Sequence, residues 1–126
     1  MGLIIAIVIL GIAIGIVTFF IVRNLIAPKK IARVEQLIKQ EKYPAAIKTA
    51  KQIIANDPRN PEAHYMLGQA YLKDNKHELA LMEYKTVNEI GVFEGLVQEI
   101  PFRWQMAELY ERFHQPDEAL KEYLVL

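Results

Sequence analysis

Residues 62–84 read EAHYMLGQAYLKDNKHELALMEY, two helical patterns separated by the short polar break DNK. Gly68 stands in the middle of the first pattern, where glycine costs roughly 1 kcal/mol against alanine. A contact that only glycine permits must offset that cost. The natural candidate is a close crossing of the two helices, with Gly68 and Ala80 at the crossing and Tyr71 and Tyr84 filling the space beside it.

Working outward, the same organisation recurs. KKIARVEQLIKQ carries Ile31, Val34, Leu37 and Ile38 on one helical face, and PAAIKTAKQIIA opens with Pro44, suited to a first helical turn. The turn NDPRNP follows, with Asp57 before Pro58 and Asn60 before Pro61. Farther on, FRWQMAELYERF and PDEALKEYLVL form a third pair around the break HQ, and no alternating strand pattern of useful length occurs. Aligning the pairs from Ala27, Pro61 and Ile100 puts Val34, Gly68 and Ala107 at the eighth position and Leu37, Tyr71 and Tyr110 at the eleventh. Ala46, Ala80 and Ala119 share the twentieth, and Ala50, Tyr84 and Tyr123 the twenty-fourth. The repeats are 34 and then 39 residues apart, the second stretched by GVFEG and its neighbours.

These motifs resemble the tetratricopeptide repeat family over roughly residues 27–126. Repeat two carries Leu67, Gly68, Tyr71, Ala80 and Tyr84 at the family's positions; repeat one carries Ala46 and Pro58 with its DPRN ending; repeat three carries Met106, Ala107, Tyr110, Ala119 and Tyr123. Departures are Val34 where a small residue is usual, and Val87 and Val92 late in repeat two. The resemblance implies an all-α chain: an α-α solenoid of about three helix-turn-helix repeats, about 27–60, 61–99 and an incomplete 100–126. With no polar capping helix after it, the apolar end formed by Leu120, Leu124, Val125 and Leu126 is expected to be covered by a continuation of the chain, a partner or a second copy.

Residues 1–26 read as a transmembrane anchor and juxtamembrane segment. Leu3 to Val22 is a run of 20 residues without charge, with Thr18 its only polar member. At about 1.5 Å per residue it spans roughly 30 Å, the thickness of a bilayer's hydrocarbon core. No Lys or Arg precedes the run and no A-x-A-like site follows it, so an uncleaved anchor is expected rather than a signal peptide. Arg23, Lys29, Lys30 and Arg33 follow closely. Basic flanks stay inside, which places the N-terminus outside and the repeats in the cytoplasm, with those four residues at the lipid head groups. Gly11 and Gly15 have the G-x-x-x-G spacing that lets membrane helices pack closely, so a homo-oligomer through the anchor is one expectation.

Chemistry is hard to find. The chain has no cysteine and no serine, which removes common nucleophiles and any disulfide framework. His64, His77 and His114 fall at unrelated repeat positions and read as surface or boundary residues rather than metal ligands, and Asp117 with Glu118 suits the start of a helix. No Gly-rich phosphate loop is present. Neither catalysis, a cofactor nor a metal is expected. Residues 23–60 carry nine Lys/Arg against three acids, and residues 61–126 six against twelve. Only Tyr43 offers a stacking ring in the basic half, so lipid head groups account for the charge better than nucleic acid does.

The resemblance implies a protein-binding groove lined by the first helix of each repeat. Carried over, its positions are Ile31, Glu35, Ile38 and Lys39; Glu62, Tyr65, Gln69, Leu72 and Lys73; and Trp104, Glu108, Glu111 and Arg112. Tyr65 and Trp104 are the expected aromatic anchors, set against the reading that either packs between repeats. Some family members grip a C-terminal carboxylate at positions that here hold Ile31, Glu35, Tyr65 and Gln69. The acid disfavours that clamp, so a helix or an extended apolar segment is the expected ligand. The layout resembles bacterial membrane-anchored repeat proteins that regulate envelope assembly, which implies a bacterial inner membrane, although those proteins add a cysteine-rich metal module absent here. The expected function is a non-catalytic, membrane-anchored adaptor or scaffold for a protein or peptide partner. The alternatives are a structural subunit of a larger membrane assembly and an organelle protein-import receptor.

Overall fold

The computed structural model describes residues 1–125, and the side chains of all of these but 23–29. Six helices follow one another: α1 Gly2–Lys39, α2 Tyr43–Asn56, α3 Pro61–Lys73, α4 His77–Ile90, α5 Glu99–Arg112 and α6 Pro116–Val125. No strand occurs among the described residues. The chain divides into two compact units, Met1–Lys30 and Ile31–Leu126. The apolar run and the first helix of repeat one, expected as separate segments, both belong to α1. Within it, Gly2–Val22 has a mean hydropathy of 3.1, with none of that window buried in protein.

The second unit is an array of helix pairs, and its backbone repeats as its sequence does. In each pair the first helix ends in a single left-handed residue: Glu41 at φ 61°, Asn75 at φ 60° and His114 at φ 57°. The next amide then donates back to the carbonyl of the eleventh repeat residue: Lys42 to Leu37 at 2.9 Å, Lys76 to Tyr71 at 2.8 Å, and Gln115 to Tyr110 at 2.8 Å. These bonds satisfy carbonyls that a helix end leaves open and reverse the chain within three residues. At the other end, Asn60 caps α3 by accepting from the Ala63 amide at 3.0 Å, with Pro61 in the first turn.

Two core clusters meet on α3. The first gathers Ile31, Val34 and Leu37 of α1 with Ala46, Ala50 and Ile53 of α2 and Ala63, Leu67, Ala70 and Tyr71 of α3. The second joins Leu81, Tyr84 and Val87 of α4 to Phe102, Met106, Leu109 and Tyr110 of α5 and Ala119 of α6. Tyr65 and Leu72 of α3 pack against both. The contact required by the sequence is present between them. A Cβ on Gly68 would collide with Cε1 of the Tyr84 ring and lie 2.7 Å from its Cδ1. Tyr84 is completely buried and held on several sides: stacked on Tyr65 at 5.7 Å, edge-on to Phe102 at 5.5 Å, and hydrogen-bonded at its hydroxyl.

Two charged groups tie elements together. Arg103 of α5 donates to Glu99 at 3.1 Å, to Glu122 of α6 at 2.9 Å and to Asn88 of α4 at 3.4 Å. Glu122 is buried, so this cation is what makes its carboxylate tolerable there. His64, expected at the surface or a boundary, is instead buried. Its Nδ1 lies 2.7 Å from a Glu83 oxygen and its Nε2 2.8 Å from the Pro58 carbonyl. A carboxylate and a carbonyl only accept, so the protonated ring, with a hydrogen on each nitrogen, is the form that satisfies both contacts.

Two predictions follow from this packing. Gly68→Ala gains helix propensity yet should destabilise the fold by about 1–3 kcal/mol through overpacking against a ring with no room to retreat. Denaturant unfolding of the full chain in detergent, followed by circular dichroism, measures it; an equal or raised midpoint would show that α3 and α4 can part at no cost. For His64, the hydrogen bond to Glu83 is the main cause of a pKa raised above the ordinary 6.5, partly opposed by burial and assisted by the Pro58 carbonyl and Asp57. Its contribution is therefore full below pH about 6.5 and lost as pH rises through the folded-state value. The unfolding midpoint should decline through that range, and His64→Asn should flatten the decline. An identical pH slope in the variant would remove His64 as the cause.

Candidate functional site

Residues of α1, α3 and α5 line two neighbouring hollows on one side of the repeats. Tyr65, Gln69 and Leu72 lie one turn apart along α3 and therefore share a face. A hollow of about 220 Å³ on this side is lined by Glu35, Ile38 and Lys39 of α1, Tyr65, Met66 and Gln69 of α3, and Leu96 from the connection between α4 and α5. Glu35 and Lys39 pair with each other at 3.3 Å across one helical turn. A second hollow of about 200 Å³ is lined by Leu72, His77, Gln105, Glu108, Leu109 and Arg112. It adjoins a wider one of about 400 Å³ at the turns that end α3 and α5, with which it shares His77 and Arg112.

A polar saddle separates the first two hollows. Gln69 donates from Nε2 to the Tyr84 hydroxyl at 2.6 Å and to Oε1 of Gln105 at 2.8 Å, linking α3 to α4 and α5. Both amide hydrogens are thereby used, and Tyr84 can bury its hydroxyl without leaving it unpaired. Burial raises the Tyr65 phenol above its usual value, while the neighbouring amides of Gln105 and Gln69 act in the opposite direction. The phenol of Tyr84 is pushed up further, by its own burial and then by the neighbouring Tyr65. Both stay neutral hydrogen-bonding groups at any physiological pH.

The residues expected in the groove are distributed unevenly. Glu35, Tyr65 and Gln69 come together in the first hollow, and Leu72, Glu108 and Arg112 in the second. Ile31 is a correction: it is buried in the first core cluster and has no surface to offer a ligand. Ile31 and Ala50 are the repeat counterparts of Tyr65 and Tyr84, and both lie in the first core cluster. Tyr65 is half-buried, with its ring covered by Tyr84 and Phe102, so it lines the groove mainly as a supporting wall. Trp104 is 49% exposed, packs edge-on against Tyr123 at 5.1 Å and lines neither hollow. Lys73 is exposed in the last turn of α3, also outside both.

Leu96 lines the first hollow yet escapes repeat arithmetic, because it lies in an insertion with no repeat position. The one available signal was the apolar FEGLV inside a connection that should have been polar. In the first unit, a Cβ on Gly11 or Gly15 would meet nothing within 4 Å. Lys30 and Arg33 are exposed, whereas the head-group contacts expected of Arg23 and Lys29 fall on side chains outside the described residues. Among the described residues, no group of three or more His, Asp or Glu is placed to hold a metal ion.

Residues 31–85 match the family model for the tetratricopeptide repeat. No curated protein matches the chain. Several solved structures share its fold, three of which follow. MamA from residue 41 to its end, from Desulfovibrio magneticus RS-1, is 19% identical with a TM-score of 0.64, over 75% of this chain and 51% of that one. The second tetratricopeptide domain of Spaghetti (RPAP3), solved with the HSP90 peptide SRMEEVD, is 21% identical with a TM-score of 0.66, over 77% and 85%. The type III secretion translocator chaperone SycD of Yersinia enterocolitica, in an alternative dimer, is 17% identical with a TM-score of 0.63, over 76% and 69%. The chain spans about half the length of the MamA structure it matches. Residues 31–85 thus carry a tetratricopeptide repeat signature, and the helix-pair array continues beyond it through α5 and α6.

Proposed function

We propose that this chain is a non-catalytic adaptor, anchored by its N-terminal helix with the repeats on the cytoplasmic side, that holds a segment of a partner protein in its concave groove. The observation that carries the reading is the convergence of Glu35, Tyr65 and Gln69 on one hollow and of Leu72, Glu108 and Arg112 on the next. These residues come from three different helices and meet only because the repeats stack. A peptide occupies the solved domain of Spaghetti, and a peptide-sized ligand suits two neighbouring hollows divided by a saddle. The carboxylate clamp remains disfavoured, since one of its positions is the buried Ile31 and another the acidic Glu35.

The anchor reading is supported by Gly2–Val22, which is 21 residues long and wholly unburied. Left in water, such a helix would expose a continuous apolar surface far beyond what soluble proteins carry. The orientation rests on the basic residues that follow the run, and a bacterial inner membrane is the setting the layout suggests. Anchoring confines chain and partner to one thin layer and raises effective concentration, so modest groove affinity suffices.

Cross-linking and quantitative recovery from native membranes tests the reading. Wild type and Lys48→Glu, a change on the exposed side of α2, should recover the same partner. Glu35→Lys combined with Arg112→Glu should reduce that recovery by about tenfold, since reversed rim charges oppose a complementary ligand. Alkaline carbonate should leave all three forms in the membrane. Partners unaffected by the groove substitutions would move the working surface elsewhere and favour the assembly-subunit reading; release by carbonate would remove the anchor.

A further inference from the structure

The connection between α4 and α5, residues 91–98, is where the repeat spacing lengthens from 34 to 39 residues. The extra chain is held at several points. Gly91 ends α4 in the left-handed region at φ 71°, and Gly95 turns the chain again at φ 59°. The Val97 amide donates to the Glu94 carbonyl at 3.0 Å. Phe93 packs on Phe102 at 5.5 Å beneath the Arg103 guanidinium, and Val97 is completely buried. At Gly95 a Cβ would stand 3.1 Å from the Glu62 carboxylate, so the segment passes close over the start of α3. Between these fixed points Leu96 reaches the hollow shared by α1 and α3.

We propose that residues 91–98 form a built-in wall of the groove, and that Leu96 determines its specificity by making the first hollow a seat for one aliphatic side chain of the partner. This rests on the groove reading above. The occupant follows from the lining. Ile38, Leu96 and the Tyr65 ring supply apolar surface above the buried Met66, while Glu35 and Lys39 neutralise each other at 3.3 Å. Both amide hydrogens of Gln69 are already given to Tyr84 and Gln105, so an acidic or carbonyl ligand group would gain no donor from it. A volume of about 220 Å³ exceeds the ~150 Å³ that accommodates a benzene, and so suits one leucine, isoleucine or methionine side chain. Leu96 is 37% exposed, and the wall is held by Phe93 and Val97, so substitutions at 96 leave its attachment intact.

The test is a phage-displayed random peptide library panned against the full chain in detergent, using wild type, Leu96→Ala, Leu96→Trp and the Glu35→Lys/Arg112→Glu groove control. Unchanged circular dichroism and melting would establish that each variant folds. Wild type should enrich peptides with a Leu, Ile or Met anchor whose binding is lost in the groove control. Leu96→Ala should weaken those peptides by roughly tenfold and shift enrichment towards Phe and Trp, because the wall recedes. Leu96→Trp should abolish the aliphatic anchor by filling the hollow. Identical anchors from wild type and both Leu96 variants, with dependence on the groove control retained, would overturn the wall and leave the groove reading standing. Peptides indifferent to every substitution, or no enrichment, would overturn both.

Discussion

Tyr84 lies against the bare Cα of Gly68, and the rest of the repeat array is arranged around that contact. It sets how closely α3 and α4 approach. It also holds the Tyr84 ring where Tyr65 stacks on one side and Phe102 meets it from another. The Tyr84 hydroxyl then receives Gln69, whose second amide hydrogen reaches Gln105 on α5. One missing methyl group is thus connected, through rings and hydrogen bonds, to the saddle between the two hollows. Close packing explains the reach: a well-filled interior transmits a change in one side chain to its neighbours rather than absorbing it.

Charge inside the array follows a related logic. Glu122 and His64 are buried, and each has a partner on another element: Arg103 for the first, and Glu83 with the Pro58 carbonyl for the second. Pairs of this kind add little net stability, because desolvation offsets much of their attraction. What they do is make wrong arrangements expensive, since any shift of α4 or α6 would leave a charge unpaired in a poorly solvated place. In the proposed adaptor role, this favours a groove shaped before its ligand arrives, which lowers the entropy lost on binding.

Much of the site was legible because the repeat supplies a coordinate system. Placing Gly68 and Tyr84 at related positions located the crossing, and the same numbering put Glu35, Gln69 and Leu72 on the groove side. It failed where neighbouring positions change size. Ile31 occupies a groove position but is buried in the core, in the one repeat that has Ala50 where the others have tyrosines. Trp104 was read as a groove anchor and instead lies against Tyr123, outside both hollows. His64 looked like a boundary residue because nothing in its local sequence announces Glu83, which lies nineteen residues away across the helix pair.

The sequence by itself determined the apolar N-terminal run, the helix pairs, their breaks and the requirement for a small residue at 68. Each of these follows from local composition or from a spacing of three to four residues. Tertiary structure alone decided that Leu96 lines the hollow between α1 and α3, that Gln69 spends both hydrogens on the saddle and that Ile31 is buried. Those outcomes depend on which side chains from distant segments compete for the same volume. A periodic pattern has no place for an insertion such as residues 91–98, whose position follows from where Phe93 and Val97 can be buried.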